Sequence, residues 1–304
     1  MNGARPSVSV IIPHLNQHKA LARCLSSLTA QDYPANLIEI IVVDNGSTEP
    51  CDAIVSQLTG ARTLYEPAPG PGLARNAGVA AASHDHLAFI DADCRADSGW
   101  ISAAVAALSV PGSTGVVGGD VRIDTISPPR LSAIEAYECV FAYRQQLYIA
   151  RDGYSGTGNL AMRRSVHQQV GPFAGIGIAE DYDWGRRAGA AGYPARYAEN
   201  MIVYHPARST MAELQAKWRR HIAHDLAAAR AQGRPSVLLA ANCVALIASI
   251  VPHAVKLALS SRVSGAPNKL RGIGALIAIR LFRCTETLRQ LRSNGGNLAE
   301  SWNR

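Results

Sequence analysis

Carboxylates stand directly after mostly apolar runs in this sequence. Asp91 and Asp93 follow the run 87–90, and Asp44 follows the run 38–43. Two carboxylates at positions i and i+2 of a turn can reach one hard divalent cation together with its phosphate ligands. An ionised carboxylate at Asp44 only accepts hydrogen bonds, which suits the donors of a nucleobase or a ribose. The same residue types also cap helices and form turns, and the sequence leaves both interpretations open.

A second acidic group lies further along the chain, where Glu180, Asp181 and Asp183 precede Trp184. Burying several ionised carboxylates side by side costs free energy, so such a group is expected where the carboxylates serve a function. One of them can act as a general base that takes a proton from an attacking hydroxyl. The alternative is an acidic first turn of a helix predicted over residues 183–191, which the helix dipole favours.

The elements that must position these residues alternate between strand and helix. The apolar patterns predict strands over 7–13, 38–43 and 87–90, helices over 18–30 and 73–82, and a loop rich in glycine and proline over 66–72. Strands that are apolar throughout and alternate with helices indicate an α/β fold with a mostly parallel sheet covered on both faces. Because ligands of such sheets bind beyond the carboxyl ends of the strands, the aspartates stand where a ligand is expected.

Four segments, in this order, resemble the family 2 inverting glycosyltransferases of bacterial type, which have the GT-A fold. The segments are VSVIIPHLNQ, IIVVDNGS, GPGLARNAGVAAA and FIDAD, and the similarity extends to about residue 205. The resemblance implies a nucleotide-sugar-binding fold with a mostly parallel central sheet flanked by helices. It assigns Asp44 to the base of a nucleotide-sugar donor and Arg75 to its sugar phosphate. The donor-binding residues that it implies are Pro13, Asp44, Arg75, Asp91 and Asp93.

The resemblance also implies a divalent metal, Mn²⁺ or Mg²⁺, and a single catalytic base. Asp93 is the metal-facing residue of the DxD motif. His205 matches a position at which this group of enzymes often has a further metal ligand, with a purely structural histidine as the alternative. Asp181 matches the general base, and one base without a covalent intermediate predicts inversion at the anomeric carbon. The residues that the resemblance places on the acceptor side are Asn159, Glu180 and Trp184.

Composition and charge disfavour several other classes of protein. The chain has 304 residues, of which 48% are hydrophobic and 17% charged, enough apolar matter for a folded core. The net charge is +7, but the basic residues concentrate after Lys217 among apolar runs, which indicates a membrane surface rather than nucleic acid. GxGxxG and GxxxxGK[ST] are absent, which disfavours a nicotinamide-dependent dehydrogenase and a P-loop enzyme. The six cysteines form no CxxC, so we expect neither a zinc site nor a disulfide framework.

A change of composition near Pro206 predicts two parts. Residues 1–210 are the predicted catalytic domain, and residues 211–304 are a helical C-terminal region with apolar runs at 237–251 and 273–282. Neither run alone reaches the ~20 apolar residues of a membrane span. We therefore expect a helical hairpin or two helices that lie in the membrane interface, with arginines at the head groups. The alternative is that both runs are ordinary core helices. Residues 285–304 are polar and are expected to fray.

Together these patterns predict a metal-dependent inverting glycosyltransferase at the cytoplasmic face of the cell membrane. The donor is a nucleoside-diphosphate sugar, with a UDP-sugar favoured, and the acceptor is a saccharide or a lipid-linked acceptor in the synthesis of cell-surface polysaccharide or glycolipid. The segment QAKWR at 215–219 matches the QxxRW signature of processive synthases only in part, so we expect one sugar transferred per encounter. The alternative is a non-catalytic protein that binds sugar nucleotides or membranes and retains the fold.

Overall fold

The computed structural model describes residues 5–58, 60–125, 129–233 and 235–292. Contacts within the chain divide it into two compact units. Unit 1 consists of Met1–Arg122 and Arg144–Pro206, and unit 2 of Ile123–Tyr143 and Ala207–Arg304. The boundary at residue 210 stays a prediction, and the contacts additionally group the segment 123–143 with the C-terminal chain.

The described residues contain one sheet of eight strands. In chain order these are β1 Val8–His14, β2 Ile38–Asp44, β3 Ala61–Tyr65, β4 His86–Ile90, β5 Arg95–Ala96, β6 Val116–Asp124, β7 Asn159–Arg163 and β8 Arg196–Pro206. Their order across the sheet is β3-β2-β1-β4-β7-β6-β8-β5. β1 pairs in parallel with β2 and β4, and β2 pairs in parallel with β3. β7 pairs antiparallel with β4 and β6, and β5 pairs antiparallel with β8. The predicted parallel strands are therefore one half of a mixed sheet.

Helices flank this sheet and form most of unit 2. In chain order they are α1 His18–Thr29, α2 Asp52–Val55, α3 Pro71–Ala81, α4 Trp100–Ser109, α5 Ala133–Phe141, α6 Gln145–Leu147, α7 Arg164–Val170, α8 Glu180–Ala190, α9 Met211–Ala231, α10 Ser236–Ala248, α11 Ile250–Leu259 and α12 Ala266–Arg292. The segment Tyr148–Asp152 is a single π-helical turn.

The parallel strands β1, β2 and β4 are largely buried on both faces, as their apolar sequences predict, whereas the edge strand β3 is half-buried. Ile11, Ile41 and Phe89 are fully buried, and α3 and α8 contribute Val79 and Trp184 to the same core. A sheet covered on both faces leaves its strand ends as the place where polar side chains reach solvent. Asp44 at the end of β2 and Asp91 after β4 therefore lie at the same carboxyl edge, on the two parallel strands that flank β1.

Three predicted boundaries are wrong, each for a local reason. α3 begins at Pro71, inside the predicted loop, because proline at the first helical position costs no hydrogen bond. α8 begins at Glu180 rather than residue 183, so that all three acids lie in its first turn. α12 continues to Arg292, because Glu286 is buried and binds the side chains of Arg289 and Gln290. The rest of the segment predicted to fray, 293–304, lies outside the described residues.

Unit 2 has its own core around α5. Ile134 and Tyr137 pack against Leu214, Leu276 and Ile279. Glu138 of α5 is 2% exposed and its carboxylate accepts hydrogen bonds from the backbone N–H and the guanidinium of Arg208. Because Leu276 and Ile279 belong to the apolar run 273–282, one face of this run packs in the core, in agreement with the alternative interpretation of that run as a core helix.

The apolar run 237–251 has a different environment within unit 2. It extends through α10 into α11, and the stretch Ala240–Leu259 is 20 residues long with a mean hydropathy of 1.6. Only 11% of its most apolar window is buried. Among the described residues this is the one helical stretch that is long and apolar enough to cross a membrane, judged by length and composition alone.

Candidate active site

A buried arginine organises the carboxyl edge of the parallel strands. Arg75, on α3, is 3% exposed. Its Nη2 lies 2.6 Å from Oδ1 of Asp91, and its Nη1 lies 3.0 Å from Oε1 of Glu180. A buried guanidinium is tolerated only when anionic partners satisfy it, so Arg75 requires both carboxylates. This one side chain therefore fixes the end of β4 and the first turn of α8 relative to α3.

The two aspartates that follow β4 face different partners. The backbone N–H of Cys94 donates to the carbonyl oxygen of Asp91 at 2.9 Å, which closes a turn. Asp91 contacts Arg75, whereas Oδ2 of Asp93 lies 3.4 Å from Nε2 of His205. Burial raises the pKa of the Asp93 carboxyl, an effect that His205 opposes. The DxD motif thus has one carboxylate engaged by arginine and one directed at an imidazole.

Asp93 and His205 fit a divalent cation. Nδ1 of His205 lies 2.7 Å from the carbonyl oxygen of Pro206, which only accepts, so Nδ1 carries the hydrogen and Nε2 faces Asp93. A histidine that ligates a metal commonly donates its other N–H to a backbone carbonyl in this way. No group of three or more His, Cys, Asp or Glu side chains in the described part of the chain is placed to hold a metal. Two protein ligands suit an ion whose remaining positions are filled by phosphate oxygens and water.

The end of β2 is joined to the loop before α3 by an amide that the sequence analysis did not single out. Asp44 is 6% exposed, and its Oδ1 accepts from the backbone N–H of Ser47 at 2.8 Å. The side chain of Asn45 donates to two carbonyl groups of the following loop and accepts from the N–H of Gly70 at 2.7 Å. Gly70 has φ +130°, a backbone conformation that favours glycine, and it immediately precedes α3. Asn45 therefore helps to place the helix that carries Arg75.

The neighbouring strand β1 completes this edge. Pro13 is half-buried on β1 and lies opposite Val43, one position before Asp44. His14 lies opposite Asp44 itself and is 2% exposed. Burial lowers the pKa of His14, with the charge of Asp44 opposing the shift. The structure thus brings Pro13 and Asp44 to adjacent strands at the predicted donor side.

The two acids at the start of α8 have different environments. Glu180 is held by Arg75, whereas Asp181 makes its hydrogen bond to the backbone N–H of Tyr182 at 2.7 Å. Burial, and after it the charge of Glu180, raises the pKa of Asp181 to about 6. A carboxylate with such a pKa is ionised at pH 7 and is a stronger base than an ordinary aspartate.

Two residues that the sequence analysis placed on the acceptor side are instead part of the core. Trp184 is 2% exposed, packs against Phe173, and donates its indole N–H to the carbonyl oxygen of Gly171 at 3.0 Å. Asn159 is fully buried, accepts from Nε1 of Trp100 at 2.8 Å, and donates to the carbonyl groups of Asp120 and Met201. Neither side chain is placed to contact an acceptor. Both side chains have hydrogen-bond partners inside the protein, as buried polar groups require.

A glycine that the sequence analysis did not single out lies against the DxD motif. A Cβ at Gly158 would approach Oδ2 of Asp91 to 2.4 Å, so only glycine leaves this carboxylate its present place. Gly158 directly precedes Asn159, which the resemblance places on the acceptor side. The close approach indicates that the glycine itself, rather than Asn159, is what this part of the chain contributes to the site.

Comparison with known proteins finds a family and several relatives. A family model described as "Glycosyl transferase family 2" matches residues 9–171. Glycosyltransferase AglE of Haloferax volcanii is 34% identical over 214 residues, which cover 68% of this chain and 69% of that protein. The pre-mycofactocin glycosyltransferase of Mycobacterium tuberculosis is 27% identical over 228 residues, 69% of this chain but only 45% of that protein. This chain thus spans less than half the length of the second relative.

Solved structures share the fold at low sequence identity. A mannosyltransferase, PcManGT from Pyrobaculum calidifontis, solved in complex with GDP-Man and Mn²⁺, has a TM-score of 0.56 and 18% identity over 97% of this chain and 77% of that chain. TarS 1–349 of S. aureus, in complex with UDP-GlcNAc, has a TM-score of 0.51 and 19% identity over 70% of this chain and 64% of that chain. These similarities confirm the predicted α/β GT-A fold.

The hydrogen bonds of Asn159 lead to a prediction about stability. We expect Asn159→Ala to lower the free energy of unfolding by about 3 kcal/mol or more. The substitution leaves an indole N–H and two carbonyl groups buried without the Asn159 side chain as a partner, and each such group costs about 1–3 kcal/mol. Urea unfolding of both variants measures the effect. Asn200→Ala, an exposed asparagine on β8 of the same sheet, is the matched control and should change stability by less than about 0.5 kcal/mol. Unchanged stability of Asn159→Ala would contradict a structural role.

Proposed function

The chain belongs to glycosyl transferase family 2, and from that premise we propose that it is a metal-dependent enzyme that transfers a sugar with inversion from a nucleoside-diphosphate donor. As a glycosyltransferase it is an enzyme, which sets aside the alternative of a non-catalytic binding protein. A UDP-sugar is the proposed donor, and the proposed acceptor is a saccharide or a lipid-linked saccharide at the cytoplasmic face of the membrane. The observation that carries the proposal is the double ion pair of Arg75 with Asp91 and Glu180, which joins the proposed donor side to the proposed base.

The proposed donor side combines hydrogen-bond acceptors and cation ligands. Asp44, nearly buried at the end of β2, suits the N–H or O–H donors of a base or ribose. Asp93 and His205 would hold Mn²⁺ or Mg²⁺, which supplies positive charge to the leaving diphosphate. The solved mannosyltransferase of the same fold contains Mn²⁺ beside its nucleotide sugar, which supports this choice of metal.

The proposed base is Asp181, on the first turn of α8. Its carboxylate accepts the proton of an acceptor hydroxyl while that oxygen forms a bond to the anomeric carbon of the donor. The bond from this carbon to the diphosphate breaks in the same step, and its electron pair leaves with the diphosphate oxygen. Attack opposite the leaving group inverts the configuration. The charge of Glu180, which is paired with Arg75, raises the pKa of Asp181 and so strengthens the base.

The proposed membrane contact lies in unit 2. Several large apolar side chains of the stretch Ala240–Leu259 are exposed: Val244, Val251, Val255 and Leu259 are 73%, 70%, 52% and 79% exposed. An exposed apolar surface of this kind marks a membrane or protein contact. Lys256 lies within the stretch, and Arg262 and Lys269 follow it in the chain. An apolar surface with neighbouring cations suits the anionic lipids of the cytoplasmic leaflet.

A first test replaces the proposed base. We expect Asp181→Asn to slow transfer by about 10²–10⁴-fold, because general base catalysis is lost, and to leave UDP affinity nearly unchanged. The rate is measured as release of nucleoside diphosphate from the best donor of a UDP-, GDP- and dTDP-sugar panel. Asp183→Asn, two positions along the same helix and paired with Arg187, is the matched control and should retain activity within about threefold.

The pH dependence of the wild-type enzyme also tests whether Asp181 is the general base. Because the base acts when deprotonated, kcat/KM should rise with pH and reach half its maximum near the Asp181 pKa of about 6. An Asp181→Asn enzyme with a rate within threefold of wild type, or a wild-type profile that is flat between pH 5 and pH 8, would show that another group is the base.

A second test addresses the metal. We expect Mn²⁺ to increase the affinity of the wild-type enzyme for UDP, and Asp93→Ala to abolish that increase, because two protein ligands hold the ion only together with the diphosphate. Calorimetric titration of UDP with and without Mn²⁺ measures it. Asp85→Asn, exposed at the opposite end of β4, is the control. Equal UDP affinity with and without Mn²⁺ in the wild-type protein would indicate a metal-independent enzyme.

A third test addresses the membrane contact in the full-length protein. We expect the double variant Val251→Asp, Val255→Asp to reduce sedimentation with vesicles of phosphatidylcholine and phosphatidylglycerol about tenfold or more, because each carboxylate costs roughly 2.5–3.5 kcal/mol in a bilayer. Both positions are exposed, so the change creates no cavity. Val110→Asp, half-exposed on unit 1, is the control. Wild-type protein that stays in the supernatant at low salt would contradict membrane association.

A further inference from the structure

Three tyrosine rings form a cluster beside the proposed base that the catalytic step described above does not use. The rings of Tyr148 and Tyr154 stack with centroids 5.5 Å apart and an interplanar angle of 9°. The ring of Tyr182 meets that of Tyr154 edge to face, with centroids 5.2 Å apart. Tyr182 directly follows Asp181 in the chain. Burial, and after it the charge of Asp181, raises the pKa of Tyr154, so the cluster and the proposed base are close neighbours.

The backbone around this tyrosine cluster is specialised. Tyr148–Asp152 is a π-helical turn, a rare conformation that is frequent at functional sites. It ends at Gly153, whose φ of +75° is in the left-handed region. A Cβ at Gly185 of α8 would approach Cβ of Tyr154 to 2.5 Å, so that only glycine allows this contact. The tyrosine-bearing segment is therefore held directly against the helix whose first turn carries Asp181.

The tyrosine cluster is open to solvent on one side and has charged groups at its edge. Tyr182 is 48% exposed, so about half of its side-chain surface is open to solvent. A tyrosine ring has a large apolar area, which a ligand can cover there. Arg151 forms a bidentate ion pair with Asp152 at the end of the π-helical turn. The guanidinium of Arg144 lies 6.0 Å from the centroid of the Tyr148 ring. The surface is thus aromatic at its centre and charged around it.

We propose that this tyrosine cluster binds the acceptor as a pyranose ring, whose apolar C–H face stacks on the exposed Tyr182 ring and whose hydroxyl groups reach Asp181 and the charged edge. The proposal rests on the proposed function and adds the place where the saccharide part of the acceptor binds and the residue that recognises it. A pyranose has an apolar face and a polar perimeter, which matches an aromatic centre with charged neighbours. An alkyl chain in the same place would desolvate those charged groups without giving them partners.

A lipid chain has a different surface available nearby. Ile176 and Ile178, on the loop before α8, are 46% and 52% exposed. If the acceptor bound chiefly through an alkyl chain, these isoleucines would carry the contact and Tyr182 would not. The two modes can therefore be separated by substitutions at Tyr182 and Ile178.

The experiment measures sugar binding directly, by saturation-transfer NMR with the full-length protein. The probes are the methyl pyranosides of glucose, galactose, mannose and N-acetylglucosamine, and the octyl glycosides of the same sugars below their micelle concentration. We expect wild-type protein to saturate ring C–H protons of at least one sugar. Tyr182→Ala should weaken that binding about tenfold, because the loss of one aromatic stacking contact changes an affinity by about that factor. Tyr182→Phe and Ile178→Ser should retain the binding.

Three outcomes would overturn the proposal. The first is the absence of ring-proton saturation by every sugar with wild-type protein, and the second is the persistence of that saturation in Tyr182→Ala. The third is saturation confined to the octyl chain and lost in Ile178→Ser, which would assign the surface to a lipid. Because the readout is binding, it is independent of catalysis. An enzyme that turns over no donor while its sugar binding depends on Tyr182 would contradict the proposed function and not this site.

Discussion

The site depends on the burial of one positive charge. Arg75 is almost completely inside unit 1, where an uncompensated guanidinium is not tolerated. Its two partners come from positions 16 and 105 residues further along the chain. Satisfying Arg75 therefore forces the turn after β4 and the first turn of α8 to meet at α3. Gly158 and Asn45 serve the same arrangement, one by leaving space for Asp91 and the other by holding the loop that leads into α3.

This charge pairing also separates the roles of neighbouring acids. Glu180 and Asp91 are held by Arg75, whereas Asp181 and Asp93 are not contacted by it. Burial, and after it the charge of Glu180, raises the pKa of Asp181 into the range of a useful base. Asp93 faces His205 across a distance that a proton or a cation can bridge. Their neighbours thus divide four carboxylates of similar chemistry into two that are paired with Arg75 and two, Asp93 and Asp181, that we propose hold a cation and act as the base.

Much of the fold and part of the site follow from the sequence. The apolar runs of β1, β2 and β4 predict buried strands because they are short and end at proline or at aspartate-containing turns. Asp44 ends β2, and Asp91 and Asp93 lie in the turn after β4; because the carboxyl ends of parallel strands share one edge, the sequence predicts that all three lie at that edge. Boundaries that depend on local capping, such as the starts of α3 and α8, were less accessible, because proline and acidic residues are compatible with both loop and first helical turn.

The sequence by itself determined the parallel strands, the position of the strand-end aspartates, the acidic turn near Asp181 and the apolar stretch after residue 236. Only the tertiary structure decided which polar residues of these segments are structural. Asn159 and Trp184 lie in segments with functional neighbours, yet partners distant in the chain, Trp100 and Phe173, place them in the core. The pairing of Arg75 with Glu180 and the stacking of Tyr148 on Tyr154 were likewise invisible in the sequence, because burial, charge pairing and ring contacts are properties of residues brought together by the fold rather than by their order.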